Sequence, residues 1–220
     1  GLDDIIAEDR CDAAVAGKFA GRFSWPVTMQ ADKIGRAHMR PWYAAAHAPL
    51  PCGALRVWHK FSCYWWKGYL RARPVAVHRH WDLARRHVRM WTDAAGESRW
   101  LAAVVLVDGV FHWSRWKCDD RLWALLLPRL DHNIGTQEMM AVIFGVYTWP
   151  DTLRDAVLIA HVDNEGVRYS MISGTSRLPE VALSVARLWH LVADVRVGLL
   201  VRRVESKANL VDGPTMETLM

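Results

Sequence analysis

The chain has 220 residues, 52% of them hydrophobic and 23% charged, and carries a formal net charge of +5. That length buries one substantial core or two small ones, and the composition is that of a folded globular chain, which excludes a disordered one. The apolar runs Leu101 to Val107 and Ala156 to Val162 are strand-sized, well short of the roughly 18 residues of a membrane span, so no membrane partner is expected. A start at Gly1 without a basic-then-apolar leader gives the expectation of a piece of a longer polypeptide. That piece would be intracellular, in cytoplasm or nucleus, and not secreted. Cys11, Cys52, Cys63 and Cys118 form no Cys-x-x-Cys pair, so buried free thiols are expected rather than a zinc site or a disulfide framework.

Charge divides unevenly, with +8 over residues 1–92 and −3 over residues 93–220. A basic front half beside an acidic back half suits a polyanion held by one part and processed by the other. A solvated basic face would give the same count.

Residues 1–80 read as helical or irregular, with helices expected over Asp3 to Phe19, Pro26 to His47 with a break at Pro41, and Cys52 to Leu70. Aromatic and basic residues interleave in Trp58-His59-Lys60-Phe61 and Tyr64-Trp65-Trp66-Lys67-Gly68-Tyr69-Leu70-Arg71. Such a stretch can stack bases and contact phosphates, although helical aromatics more commonly form core. From about residue 85 the pattern changes to strands: Val88 to Asp93, then Trp100 to Val107 and Val110 to Trp116 joined by the hairpin signal Asp108-Gly109. A helix follows over Gly135 to Trp149, with Thr136 as its N-cap and Met139, Ile143 and Val146 on one stripe. Ala156 to Val162 reads as a strand covered on both faces. Helices over Glu165 to Ile172 and from Pro179 to Val192 precede a last strand, Leu199 to Val204.

Four acids stand where such elements end or begin: Asp93, Glu138, Asp163 and Asp212. Oxygen donors of this kind hold the two Mg²⁺ ions that clamp the attacking and leaving oxygens of a phosphodiester. Each acid also has an ordinary reading, as a strand end, a helix N-terminal charge or turn chemistry. Glu97 and Glu165 are weaker candidates, and His78, His80 and His87 could bind a transition metal but read better as incidental linker histidines.

The order β-β-β-α-β-α-α-β, with acids at the first strand, first helix, fourth strand and just beyond the fifth, resembles the ribonuclease H family. Asp163-Asn164, Ser173-Gly174-Thr175-Ser176-Arg177-Leu178-Pro179, Leu188-Trp189, Val204-Glu205-Ser206-Lys207-Ala208-Asn209 and Asp212-Gly213-Pro214-Thr215 look more specifically like the ribonuclease H region of retrotransposon reverse transcriptases, of the DIRS type. Ala20-Gly21-Arg22-Phe23-Ser24 and Tyr64-Trp65-Trp66 resemble the thumb and connection before that domain. The resemblance implies a helical thumb/connection segment over 1–84 and, over 85–220, an α/β domain with a mixed five-stranded sheet flanked by helices. It implies an endonuclease cutting the RNA strand of RNA–DNA hybrid with two Mg²⁺ ions, Mn²⁺ substituting, held by Asp93, Glu138, Asp163 and Asp212. Arg177, Arg202, Arg203 and Lys207 would contact nucleic acid, and an upstream polymerase region would be a partner.

Two departures bear on activity. The family's closing Asp-Gly-Pro-Ser-Arg ends here as Asp212-Gly213-Pro214-Thr215-Met216, losing the basic residue, and no His lies between His190 and Asp212 to help product leave. Separately, Asp119-Asp120 follow Lys117-Cys118 and do not make a polymerase signature, so this piece is not expected to polymerise. An inactive remnant that only binds nucleic acid is therefore the alternative. A 3′–5′ exonuclease of the same broad fold is disfavoured, because Asp93-Ala94-Ala95 lacks its Asp-x-Glu.

Overall fold

A computed structural model of the chain describes residues 1–29, 33–48, 56–72, 84–124 and 133–211. The chain divides into two compact units, Gly1–His80 and Trp81–Met220.

The first unit holds α1 (Leu2–Glu8), α2 (Ala13–Met29), α3 (Arg36–His47) and α4 (Val57–Ala72). Its core is aromatic. Phe23 stacks on Trp66 with centroids 4.2 Å apart, and Phe19 lies 5.1 Å from Trp42. Trp42 donates from Nε1 to Ser62 Oγ at 2.8 Å, and Ser62 donates on to His38 O at 2.6 Å, so these three buried groups are linked in series. This packing overrides two local expectations. The helix expected over Asp3 to Phe19 is interrupted after Glu8, and Pro26 and Pro41 lie inside α2 and α3 instead of starting or breaking them. A helical proline costs about 3 kcal/mol or more, an amount that burial of Trp42 and Phe23 beside these sites offsets. Of the interleaved aromatics, Trp66 is core, while Phe61 and Tyr64 are half exposed.

The second unit is a five-stranded mixed sheet: β1 (His87–Ala95), β2 (Trp100–Val107), β3 (Val110–Lys117), β4 (Val157–Val162) and β5 (Gly198–Arg203), in the order β3-β2-β1-β4-β5. The first three form an antiparallel meander, and β4 and β5 run parallel to β1. Asp108 and Gly109 have φ of 50° and 82°, the two left-handed residues of a tight hairpin turn. Among the described residues, five α-helices accompany the sheet: α5 (Asp120–Ala124), α6 (Ile134–Thr148), α7 (Pro150–Leu153), α8 (Glu165–Ser173) and α9 (Pro179–Val195). The α/β sheet with flanking helices expected from the sequence is present. The N-cap of α6 is Asn133, not Thr136, because Asn133 adopts φ 56° and the helix begins one turn earlier than its apolar stripe.

Helix α6 packs on β1 and β2. Gly145 permits that approach: a Cβ there would stand 2.5 Å from Met90 Sδ and 3.2 Å from Ala103 Cβ, and both neighbours are fully buried. Gly145→Ala is expected to lower stability by about 1–3 kcal/mol in chemical denaturation, since the displaced thioether has no free volume to enter.

Candidate active site

Side chains alternate across the sheet, so register decides which of them meet. Met90 points toward α6, which places His87, Arg89, Trp91 and Asp93 on the other face. The parallel ladder between β1 and β4 ends at Trp91 paired with His161. Two residues further along that register Asp93 stands level with Asp163, beyond the last pair. The carboxyl ends of neighbouring parallel strands are where α/β sheets open a crevice.

Glu138 enters this region from the second turn of α6. Its Oε1 accepts a hydrogen bond from Asn164 Nδ2 at 3.2 Å, while Oε2 is buried with no hydrogen-bond partner. Burial above all, then the charge of Asp163 and to a lesser degree that of Asp93, pushes the Glu138 carboxyl up to about 8 against the pull of the Asn164 amide. The three acids thus share one electrostatic environment although they come from β1, α6 and the end of β4. Among the described residues, no group of three or more His, Cys, Asp or Glu is gathered tightly enough to enclose a metal ion.

Several side chains to which the sequence reading gave no role fix this arrangement. Asn164 caps α8, its Oδ1 accepting from Val167 N at 3.1 Å, so its amide is held pointing at Glu138. Gln137 donates to Gly96 O at 3.0 Å, tying the start of α6 to the turn after β1. Ser206 donates to Asp163 Oδ2 at 3.1 Å. Buried Asn209 donates to Thr92 O, next to Asp93, at 3.1 Å. Val211 is fully buried against Trp91, Ala102 and Val104. Trp91 in turn stacks on His161, with centroids 4.8 Å apart and rings 9° from parallel. Burial, then Arg89 and Arg202, holds the His161 imidazole below its usual range, so it stays neutral at pH 7.

Asn164→Ala is expected to cost about 1 kcal/mol of stability through the lost cap. It should also move the Glu138 titration further upward, because the one contact favouring the carboxylate is gone; carboxyl-carbon NMR through a pH series reads that shift.

The remaining sequence candidates fall elsewhere. Asp212, His78 and His80 lie outside the described residues, and His87 is exposed at the start of β1. Glu97 is exposed in the turn after β1, and Glu165 is engaged by Arg168 at 2.7 Å and Arg203 at 4.0 Å. Arg177, Arg202, Arg203 and Lys207 are all exposed. Arg202 shares the face of His161 on the neighbouring strand, and Arg203 falls on the opposite face. Cys11, Cys63 and Cys118 are buried free thiols, and burial pushes that of Cys63 up to about 12.

Strand order, the antiparallel meander, the two parallel strands beyond it and the helix crossing the first two strands make the mixed five-stranded α/β sheet that the resemblance to the ribonuclease H family implies. A crystal structure of ribonuclease H1 from the halophilic archaeon Halobacterium salinarum NRC-1 is similar at TM-score 0.42 and 12% identity, over 55% of this chain and 87% of that one. No family model and no curated protein matches the sequence. No described helix is long and apolar enough to cross a membrane.

Proposed function

We propose that the second unit is a metal-dependent endonuclease that cleaves the RNA strand of RNA–DNA hybrids, within a reverse transcriptase polyprotein of a DIRS-type retroelement. The observation that carries this reading is the Glu138 carboxyl, buried with Oε2 unpartnered and pushed up to about 8 by burial above all, then by the charges of Asp163 and Asp93. Burying that carboxyl within the electrostatic reach of two further acids is costly. Carboxylate oxygens placed this way would serve a hard dication as ligands, and binding it would displace the proton and relieve that cost.

Asp93, Glu138 and Asp163 would hold Mg²⁺, or Mn²⁺ in its place. Asp212 is proposed as a fourth ligand, a role supported by the anchoring of Val211, the residue before it, beside Trp91. A metal held there would supply an activated water and charge stabilisation for the departing oxygen. The protein's own contribution is orientation. Asn164 aims Glu138, Ser206 steadies Asp163, and Asn209 pins the backbone beside Asp93. A polyanion would be attracted by Arg177, Arg202 and Lys207, with Arg203 drawn partly toward Glu165. Residues 1–84 would form the thumb and connection toward an upstream polymerase region.

An RNA–DNA hybrid labelled on the RNA strand tests the proposal. Mg²⁺-dependent cutting to 3′-hydroxyl and 5′-phosphate ends is the expected result, with the DNA strand intact. Hybrid binding without cutting would favour the alternative, a remnant that only binds nucleic acid, which the missing basic residue after Thr215 and the missing late histidine also favour.

A further inference from the structure

Strand β3 ends the sheet, and its outer side is unpaired among the described residues. It is also an unusual edge. Val110, Phe111 and Trp113 are 55%, 57% and 60% exposed, on a strand that finishes with Arg115 and Lys117. A long edge with exposed aromatics is a template for another strand.

The hairpin decides which backbone groups are available. Val107 pairs with Val110 across the two-residue turn, and in such a hairpin the flanking pair exchanges both backbone hydrogen bonds. Bonded and non-bonded pairs then alternate, so the N–H and C=O groups of Phe111, Trp113, Arg115 and Lys117 point outward. The side chains of the same four residues share one face of the sheet, since their partners Leu106, Val104, Ala102 and Trp100 do.

We infer that this edge pairs with β3 of a second copy of the chain, antiparallel, about a two-fold axis through Ser114. That register sets Phe111 opposite Lys117 of the second copy and Trp113 opposite Arg115 of the second copy, each pair exchanging its outward backbone bonds. On the other face His112 meets Trp116 of the second copy, and Ser114 meets itself. Every cation of the strand then lies against an aromatic ring. The chain already uses these cations in that way, with the Arg115 guanidinium 4.7 Å and the Lys117 ammonium 5.7 Å from the centroid of Trp100. Moving the axis to Arg115 would set Arg115 against Arg115, and parallel pairing would bring the two cationic ends together, so charge selects the antiparallel register centred on Ser114. The product is a closed dimer whose continuous sheet of about ten strands is within the usual range.

Sedimentation equilibrium of the full chain over a wide concentration range tests this. The expected species at high micromolar concentration has twice the 25.1 kDa chain mass. Trp113→Lys places a cation opposite Arg115 and should weaken association about tenfold or more, and adding Arg115→Glu to that variant should restore it. Ser114→Cys should cross-link to itself under mild oxidation, because a non-bonded antiparallel pair holds its Cα atoms about 4.5 Å apart, within disulfide range. Circular dichroism confirms that each variant is folded. A monomer at every concentration overturns the inference. So does a dimer that is indifferent to Trp113→Lys and leaves Ser114→Cys uncross-linked, since it would be built on another surface.

Discussion

Replacing Asp93 by Asn is expected to reduce hybrid cleavage by more than about 100-fold while leaving folding and hybrid binding intact. Even outer partners of metal ligands cost about 10–100-fold when removed, and this change deletes a ligand charge outright while keeping the side chain's shape. Asp93 is half-buried at the end of β1, where it meets the electrostatic influence of Glu138 without being central to the core. Single-turnover cleavage beside a binding isotherm separates the two effects. Cleavage at the wild-type rate in Asp93→Asn would mean that the wrong acids have been chosen, and Glu97 or Glu165 would be tested next.

Glu138→Gln is expected to do two opposed things: to abolish cleavage and to stabilise the fold. The folded chain holds the Glu138 proton up to about 8, whereas the unfolded chain releases it near 4.5. The folded pKa is raised, so the contribution to stability is fully present below about 4.5, declines as pH rises, and levels off above about 8. At pH 7 the burden is on the order of 3 kcal/mol, which the glutamine variant escapes. Chemical denaturation of both proteins from pH 5 to 9 should show their difference in stability growing to about pH 8 and levelling off beyond it. Equal stability at pH 7 and pH 5 would show that Glu138 ionises without difficulty and would remove the main support for a cation site there.

Sequence alone revealed the elements that announce themselves locally. Asp108-Gly109 set the β2–β3 hairpin, the unbroken apolar run before His161 marked β4 as a strand with neighbours on both sides, and Pro179 opened α9. Acids at strand ends were visible for the same reason, since a carboxylate placed just after an apolar strand emerges at the sheet's rim. Short α5 and α7 escaped because four or five residues carry no readable period. Pro26 and Pro41 misled because their penalty is local whereas the burial of Phe23 and Trp42 that outweighs it is not. The same limit applied to the site. Asn209 meets the backbone of Thr92 across 117 residues and Ser206 meets Asp163 across 43, pairings that no local pattern encodes. Asn164 was the one supporting residue with a local signal, an Asn directly before a helix, but its second bond to Glu138 requires the folded sheet.

Titrating the protein with Mg²⁺ in a calorimeter at pH 7, in two buffers of different ionisation enthalpy, reads whether Asp93, Glu138 and Asp163 form a cation site. Saturable binding with release of close to one proton per chain is expected, because the metal must displace the proton that Glu138 holds at that pH. Asp93→Asn should weaken the binding, and Glu138→Gln should bind weakly with no proton released. Heats that are absent in the wild-type protein, or binding that is identical in both buffers and unchanged in both variants, would contradict a cation site at these three acids.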